Sequence, residues 1–246
     1  MQTRVYIVRH GETENNVLHR FQGCTDIPLN ERGLSQAKCL RKPMSKIDFD
    51  RIYASPYLRT MQTAEQVQCD RAIEIVKVPG LCEINCGQWE GLNGQEIEAR
   101  WPGQLKLWQY EPDKLAMQDG ETFKQVQDRA IAAFIDIVKR EKGGTVAIVS
   151  HMLTIQLIMG KLLNIPISEV WNMNRLENTS VTTMDVWENG DFEIIKWGDD
   201  SHLIAELKNE YVRIAGFKQK TYNVAYDVSV VEGRHHYPQL IALQNA

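Results

Sequence analysis

Two short apolar runs in this chain each lead to a histidine. The run 5–8 is followed by Arg9 and His10, and the run 145–149 leads through one serine to His151. Short apolar runs of this kind are typical of strands buried on both faces of a parallel sheet. In open α/β sheets, ligands bind at the carboxyl ends of the strands. We therefore expect both histidines at one ligand-binding edge of a sheet.

Helical patterns alternate with the strand-like runs. The apolar spacing and the capping signals predict helices over 31–42, 55–67, 121–141 and 153–163. Strands are predicted over 4–9, 50–54, 73–76 and 145–149, followed by a hairpin of 181–187 and 192–197 around Asn189-Gly190. This alternation predicts an α/β fold: a three-layer α/β/α sandwich with a mainly parallel central sheet and helices on both faces.

Single residues set the predicted ends of the first two helices. Asn30 is a suitable N-cap for the helix at 31–42, and Pro43 is expected to end it. Ser55 and Pro56 are expected to open the next helix as its N-cap and first residue. Residues 84–120 are rich in glycine and tryptophan, and we expect an irregular segment with short helices there.

The composition is that of an ordinary globular chain. Its 246 residues are 43% hydrophobic and 24% charged, and the net charge is −4. This balance argues against a general nucleic-acid or membrane-surface binder, whereas a local basic pocket would suit a small anionic substrate. The sequence shows neither an apolar run of membrane-spanning length nor a signal peptide. With five cysteines, which we expect as free thiols, these features predict a cytoplasmic protein.

The chain is predicted to form one domain over 1–205, followed by a C-terminal extension over 206–246. The extension contains a helical pattern and a strand-like run at 223–231, which the sequence does not place in the sheet. We expect the extension to pack on the same domain and assign it no role. Because such an extension can cover a site or build a dimer, a homodimer is left open.

A third strand end brings an arginine toward the two histidines. The run 50–54 leads through Ser55 to Arg59, in the first turn of the predicted helix. Parallel strands gather Arg9, Arg59 and the histidines at one edge, together with helix N-termini, which favour anions. Arginine matches phosphate by bidentate hydrogen bonding. The arrangement predicts a pocket that binds a phosphoryl group.

These residues are part of a longer series of motifs that resembles the histidine phosphatase superfamily, also called the phosphoglycerate mutase-like family. The resemblance runs from about residue 4 to 205 and favours a phosphatase-type member. It is carried by Val8-Arg9-His10-Gly11-Glu12-Thr13-Glu14-Asn15-Asn16, Arg20-Phe21-Gln22-Gly23, Asp26-Ile27-Pro28-Leu29, Ser55-Pro56-Tyr57-Leu58-Arg59-Thr60, Glu83, Val149-Ser150-His151 and Asn178-Thr179-Ser180-Val181. Several separated motifs in the family's order are far more specific than any one of them.

The resemblance implies hydrolysis of a small phosphorylated metabolite without a metal or other cofactor. It implies that His10 is the nucleophile, which becomes phosphohistidine, and that Glu83 is the general acid. It also implies that Arg9, Arg59 and His151 clamp the phosphoryl oxygens. The remaining phosphate- or substrate-binding positions that it implies are Asn16, Gln22, Gly23 and Met152, the last of which stands where the family usually has glycine.

The chemistry adds one expectation for the nucleophile. For His10 to attack phosphorus, one ring nitrogen must carry a free lone pair. We therefore expect its other nitrogen to donate to a backbone carbonyl, which would fix the tautomer.

Two other functions stay open from the sequence. A cofactor-dependent phosphoglycerate mutase would use the same histidine, but such members carry a long insertion after the general acid, whereas only 36 residues separate Glu83 from Gly120. A catalytically weak phosphate- or phosphoprotein-binding module is the third function, and the complete set of catalytic residues disfavours it. Glu83 is alternatively a solvated loop acid. The tryptophans that form either a substrate wall or plain core are Trp89, Trp101 and Trp108.

Overall fold

The computed structural model describes residues 1–208 and 233–241. In this part of the chain, seven strands form one sheet in the order β3-β2-β4-β1-β5-β6-β7. The strands are β1 (Gln2–Arg9), β2 (Arg51–Ala54), β3 (Ile75–Lys77), β4 (Thr145–Ser150), β5 (Val181–Trp187), β6 (Asp191–Asp199) and β7 (His235–His236). Neighbours from β3 to β1 are parallel, and β5, β6 and β7 extend the sheet in antiparallel pairs. The predicted parallel centre is confirmed, and the sheet has an antiparallel edge that begins at β5.

Helices cover both faces of this sheet. Those in the described residues are α1 (Glu14–Val17), α2 (Glu31–Met44), α3 (Leu58–Gln68), α4 (Gly94–Arg100), α5 (Gln104–Tyr110), α6 (Phe123–Arg140) and α7 (Met152–Leu162). On one face, Leu40 of α2 shares an apolar cluster with Val149 of β4. On the other, Phe134 of α6 and Leu157 of α7 share a cluster with Ile148. The predicted three-layer α/β/α sandwich is confirmed.

The two faces explain why residues 146–149 of β4 are all apolar. Side chains alternate between the faces of a strand. Val146 and Ile148 therefore enter the core beneath α6 and α7, and Ala147 and Val149 enter the core beneath α2 and α3. All four residues are completely buried, so this stretch of β4 is apolar toward both faces of the sheet.

β1 and β4 end at the same level. Their parallel register pairs Val8 with Val149 and Arg9 with Ser150. The backbone N–H of His10 then donates to the Ser150 carbonyl at 3.0 Å. The residues that follow the two strands, His10 and His151, therefore leave the sheet together at its carboxyl edge.

The predicted start of the second long helix is wrong. Ser55 and Pro56 precede α3, which begins at Leu58, and Ser55 makes no capping bond. The Ser55 N–H instead donates to the Val149 carbonyl at 3.0 Å and continues the pairing of the sheet. Asp26 caps the helix from a distant segment, because its carboxylate accepts from the Leu58 N–H at 2.6 Å.

The predicted end of α2 is also wrong, by two residues. The Asn30 side chain caps the helix as expected, by accepting from the Gly33 N–H. The helix continues through Pro43 to Met44. A proline this close to a C-terminus removes one intrahelical bond near the point where the ladder ends in any case, so the last turn tolerates it.

The remaining elements lie close to their predicted positions. α6 begins two residues later than predicted, because Thr122 caps it through a reciprocal pair with Gln125. The hairpin of β5 and β6 is confirmed, with Gly190 at a φ of 87° in its turn. The irregular segment at 84–120 contains the two short helices α4 and α5.

Part of the C-terminal extension lies at the far edge of the sheet. β7 pairs with β6, and Tyr237 and Leu240 are buried against the core beneath α6 and α7. The predicted strand at 223–231 lies outside the described residues, and the domain boundary at 205 stays a prediction. Within 1–208 and 233–241, none of the helices combines the length and apolar character needed to cross a bilayer.

Candidate active site

His10 is the first residue beyond β1, and its ring is held in one tautomer. The ring is only 4% exposed, and Nδ1 lies 2.6 Å from the Gly11 carbonyl oxygen. A carbonyl can only accept, so Nδ1 carries the hydrogen and Nε2 carries the free lone pair. The expected bond to a backbone carbonyl is confirmed, and it leaves the free lone pair on Nε2.

Two arginines and burial keep the His10 ring neutral. Burial is the largest cause that lowers its pKa well below the usual value, and repulsion from Arg59 and Arg9 lowers it further. The hydrogen bond to Gly11 acts weakly in the opposite direction. A neutral imidazole beside two cations is suited to attack an electrophile that carries negative charge.

Arg59 lies in the first turn of α3 and is completely buried. Its Nη1 donates to the Thr25 carbonyl at 2.9 Å, its Nη2 to the Gly23 carbonyl at 2.8 Å, and its Nε to Nδ1 of His151 at 3.2 Å. With the Gln22 amide oriented so that its oxygen faces the guanidinium, Gln22 also accepts from Nη1 at 3.0 Å. Burial lowers the pKa of Arg59. The guanidinium is thus fixed in orientation by several acceptors.

Both ring nitrogens of His151 have protein partners. Because the Nε of Arg59 can only donate, Nδ1 of His151 is the acceptor and Nε2 carries the hydrogen. Nε2 therefore donates to Oγ of Ser55 at 2.8 Å. The ring lies beside that of His10, with centroids 5.2 Å apart. Burial is the largest of the causes that lower the pKa of His151 well below its usual value.

Arg9 ends β1 and is 6% exposed. Its Nη1 donates to the Leu176 carbonyl at 2.6 Å, whereas its buried Nε has no hydrogen-bond partner among the described residues. Burial, followed by repulsion from Arg175, lowers the pKa of Arg9 to about 10, so it stays cationic at neutral pH. A buried N–H without an acceptor is costly, and an anion that accepts from it would remove that cost.

Glu83 lies at the N-terminus of α7. Its Oε1 accepts from Oγ1 of Thr154 at 2.9 Å and from the Thr154 N–H at 3.3 Å, and its Oε2 accepts from the Leu153 N–H at 3.4 Å. The start of a helix favours an acceptor of this kind. Glu83 is therefore a partly buried, hydrogen-bonded side chain, which argues against the solvated loop acid.

Arg129 of α6 holds the segment that carries Glu83. Its Nη1 donates to the Cys82 carbonyl at 2.7 Å, and its Nη2 to the Glu83 carbonyl at 3.0 Å. The same guanidinium forms a bidentate pair with Glu121, whose other contact is the Asn85 N–H at 2.9 Å. One arginine thus fixes the backbone on both sides of the carboxylate.

The other implied binding positions surround this centre. Asn16 caps α1 together with Thr13, whose hydroxyl lies 2.6 Å from the Gln22 amide. Gly23 adopts a φ of 50°, and a side chain at this position would meet Glu90. Met152 is the first residue of α7 and packs partly against the core. Gln22 and Gly23 thus contact Arg59, Asn16 contacts Asn178, and Met152 directly follows His151.

Sequence reasoning missed three residues of this site. Thr154 and Arg129 position Glu83, and Ser55 orients His151 although it was expected to be a helix cap. The signal for Thr154 was its place in the first turn of the helix that follows His151. The other two pairings join segments far apart in sequence, and local patterns do not encode them.

The tryptophans and cysteines take structural positions. Trp89 is completely buried, and Trp108 packs edge-on against Phe21 and Phe123 at 5.0 Å, so the core interpretation holds for this cluster. All five cysteines are free, as expected. Within the residues that the structure describes, His, Cys, Asp and Glu side chains form no group of three or more suited to a metal ion.

A family model matches residues 5–200, and its description is "Histidine phosphatase superfamily (branch 1)". The chain belongs to the histidine phosphatase superfamily. It is therefore an enzyme of the phosphatase type, and the family resemblance found in the sequence is confirmed.

Individual relatives share most of their length with this superfamily member. Phosphoserine phosphatase 1 of Hydrogenobacter thermophilus is 32% identical over 81% of this chain and 94% of its own. A probable phosphoglycerate mutase GpmB of an Enterobacter species is 28% identical over 85% of this chain and 99% of its own. The solved structure of Bacillus stearothermophilus YhfR is 38% identical, has a TM-score of 0.78 and covers 81% of this chain and 98% of its own.

Proposed function

We propose that this enzyme hydrolyses small phosphomonoesters through a phosphohistidine on His10, with Glu83 as the general acid. The observation that carries the proposal is the fixed tautomer of His10, whose Nε2 lone pair lies beside two buried arginines. Family membership supports the same chemistry. The scheme needs no cofactor, because the guanidinium groups supply the positive charge.

In the first half-reaction, Nε2 of His10 forms a bond to phosphorus as the ester P–O bond breaks. The leaving oxygen takes the proton of the Glu83 carboxyl group and departs as an alcohol. Glu83 is left as a carboxylate, and His10 carries the phosphoryl group. Splitting the transfer in this way replaces one difficult step by two easier ones.

In the second half-reaction, the Glu83 carboxylate takes a proton from a water molecule whose oxygen bonds to phosphorus. The P–N bond to His10 breaks, and inorganic phosphate leaves. Glu83 is protonated again, and the neutral imidazole with its Gly11 hydrogen bond is restored. The same carboxyl group thus acts first as an acid and then as a base.

Arg9, Arg59 and His151 stabilise the charge on the phosphoryl oxygens in this scheme. Nε of Arg9 lacks a partner among the described residues, which supports this role, because a phosphoryl oxygen would satisfy it. His151 would donate its Nε2 hydrogen to a phosphoryl oxygen in place of its present hydrogen bond to Ser55. The remaining proposed phosphate- and substrate-binding residues are Asn16, Gln22, Gly23 and Met152.

Because the segment after Glu83 is short, we propose that the enzyme is a phosphatase rather than a mutase. A mutase needs a phosphohistidine that survives until a second alcohol arrives. Several relatives bear the name of a probable phosphoglycerate mutase, so the mutase function needs a direct test. Incubation of 3-phosphoglycerate with and without 2,3-bisphosphoglycerate separates the two activities. Release of inorganic phosphate supports the proposal, and rapid formation of 2-phosphoglycerate would replace it with the mutase function.

A simple turnover test separates enzyme from binding module. Purified protein treated with EDTA is expected to release nitrophenol from p-nitrophenyl phosphate. A protein that binds phosphate but shows no turnover would contradict the proposal and favour the binding module. Loss of activity on chelation would instead indicate a metal-dependent reaction.

A further inference from the structure

Thr154 places one hydroxyl between two acceptors in the site. Its side chain is completely buried, in the first turn of α7. Oγ1 lies 2.9 Å from Oε1 of Glu83 and 2.8 Å from the Cys82 carbonyl oxygen. A threonine hydroxyl carries one hydrogen, so it can donate to only one of these acceptors at a time.

The charge of Glu83 decides which acceptor receives that hydrogen. Hydrogen bonds to a carboxylate are stronger than those to a neutral carbonyl, whereas a protonated carboxyl group is a weaker acceptor than an amide. The hydroxyl therefore donates to the Cys82 carbonyl when Glu83 is protonated. It donates to the Glu83 carboxylate when Glu83 is ionised. Arg129 also donates to the Cys82 carbonyl, at 2.7 Å, so that oxygen keeps a partner when the threonine turns away.

The two oxygens of Glu83 differ in their surroundings. Oε1 accepts from the Ile84 N–H at 3.1 Å and from both donors of Thr154. Among the described residues, Oε2 has only the longer contact with the Leu153 N–H, at 3.4 Å. A proton on Oε1 would face the N–H groups of Ile84 and Thr154, which cannot accept it, so Oε2 is the oxygen that can hold the transferable proton.

We propose that Thr154 is a positioning residue for proton transfer by Glu83, and this inference rests on the proposed function. The N–H groups of Thr154 and Ile84 hold Oε1 so that Oε2 faces the leaving group. As the P–O bond breaks and the Oε2 proton moves to the leaving oxygen, the hydroxyl hydrogen turns from Cys82 to the new carboxylate. It turns back when the carboxylate takes a proton from water. The contact therefore strengthens as the proton leaves, which is the condition for lowering the barrier.

Leaving-group dependence tests this role directly. p-Nitrophenolate departs with little help from an acid, whereas an alkoxide needs a proton. The quantity to measure is the ratio of kcat/KM for p-nitrophenyl phosphate to that for phosphoserine or glycerol phosphate, whichever the wild type hydrolyses faster. Because kcat/KM covers only steps up to phosphorylation of the enzyme, slow dephosphorylation does not obscure the ratio.

Thr154→Val keeps the side-chain shape and removes the hydroxyl. We expect the ratio to rise about tenfold, the size of one lost hydrogen bond to a charged group. Thr154→Ser should restore the wild-type ratio. Thr154→Ala, which loses the same hydroxyl with less steric demand, should reproduce the rise if the valine variant folds poorly.

Thr3→Val is the matched control. Thr3 is also buried, and its hydroxyl donates to the Glu141 carbonyl at the opposite end of β1. Loss of this hydroxyl should leave the ratio at the wild-type value. If Thr154→Val and Thr154→Ala lower both rates by the same factor, or lower neither, Thr154 is only a structural residue and the inference is wrong.

Glu83→Gln separates this failure from failure of the proposed function. If Glu83→Gln raises the ratio while the Thr154 variants do not, the general acid stands and only the inference fails. If the wild type hydrolyses neither ester, or Glu83→Gln leaves the ratio unchanged, the proposed function itself is wrong.

Discussion

At His10, one backbone carbonyl decides which ring nitrogen can react. The Gly11 oxygen holds the hydrogen on Nδ1, and the nearby arginines with burial keep the ring neutral. At His151, Arg59 decides the tautomer. Its Nε can only donate to Nδ1, so the ring hydrogen lies on Nε2. Two histidines in one pocket thus take opposite tautomers, which suits one for attack and the other for donation.

Replacing Arg59 by lysine tests whether charge alone suffices. Lysine keeps the positive charge but cannot donate in three fixed directions, so Arg59→Lys should lower kcat/KM about a hundredfold. Arg71→Lys is the control, because Arg71 also donates to several backbone carbonyls but lies outside the site. Steady-state kinetics should show a near wild-type kcat/KM for the control. Equal effects of the two substitutions would contradict the role of Arg59.

At the level of elements, the segment that carries Glu83 depends on one side chain of α6. Arg129 donates to the carbonyls of Gly80, Cys82 and Glu83 and pairs with Glu121. The segment is otherwise irregular and follows the short strand β3. Its position therefore depends on tertiary hydrogen bonds rather than on a helix or strand of its own.

Loss of Arg129 should lower the stability of the protein. Arg129→Met removes the cationic partner of Glu121 and the donor to the Gly80 and Glu83 carbonyls, so the free energy of unfolding should fall by about 2–4 kcal/mol. Lys124→Met, on the same helix, breaks only the exposed pair with Asp128 and should cost less than about 0.5 kcal/mol. Urea unfolding compares the two. A loss of similar size in both variants would show that Arg129 does not hold the segment.

The elements also show what local sequence can encode. Strands β1 and β4 and their terminal histidines were predictable, because each apolar run and its following residues lie within about ten positions of the chain. The start of α3 was not, because its cap, Asp26, lies 32 residues away. The partnership of Thr154 with Glu83 spans 71 residues, and that of Ser55 with His151 spans 96. Contacts of this range depend on the assembled sheet.

In the molecule as a whole, the site lies where the sheet changes from parallel to antiparallel pairing. β1 has a parallel neighbour in β4 and an antiparallel neighbour in β5. The carboxyl end of β1 therefore lies beside the end of β4 and the start of β5. Residues 173–180, which precede β5, reach the site from the β5 side. The Asn178 amide donates to the His10 carbonyl at 3.0 Å, which connects this side of the site to His10.

Two buried neutral histidines should make stability depend on pH. The pKa values of His10 and His151 are lowered well below 6.5 in the folded protein, so the unfolded chain binds more protons as the pH falls below that value. Each histidine should then reduce the free energy of unfolding by up to about 1.4 kcal/mol per pH unit. Above pH 7.5 this contribution should be absent.

Urea unfolding at pH 7.5 and 5.5 checks this dependence. His10→Asn and His151→Asn each remove one titrating group, so each variant should lose less stability than the wild type between the two pH values. A pH dependence identical to that of the wild type in both variants would show that these histidines are protonated in the folded state.

Direct detection of the phosphorylated enzyme tests whether His10 is the nucleophile. Wild-type protein mixed with a turned-over phosphomonoester and quenched in alkali, where phosphohistidine survives, should gain the mass of one phosphoryl group, and peptide mapping should place it on His10. His10→Ala should show neither the added mass nor turnover. Turnover with the phosphoryl group on another residue, or a His10→Ala variant with near wild-type rates, would show that His10 is not the nucleophile.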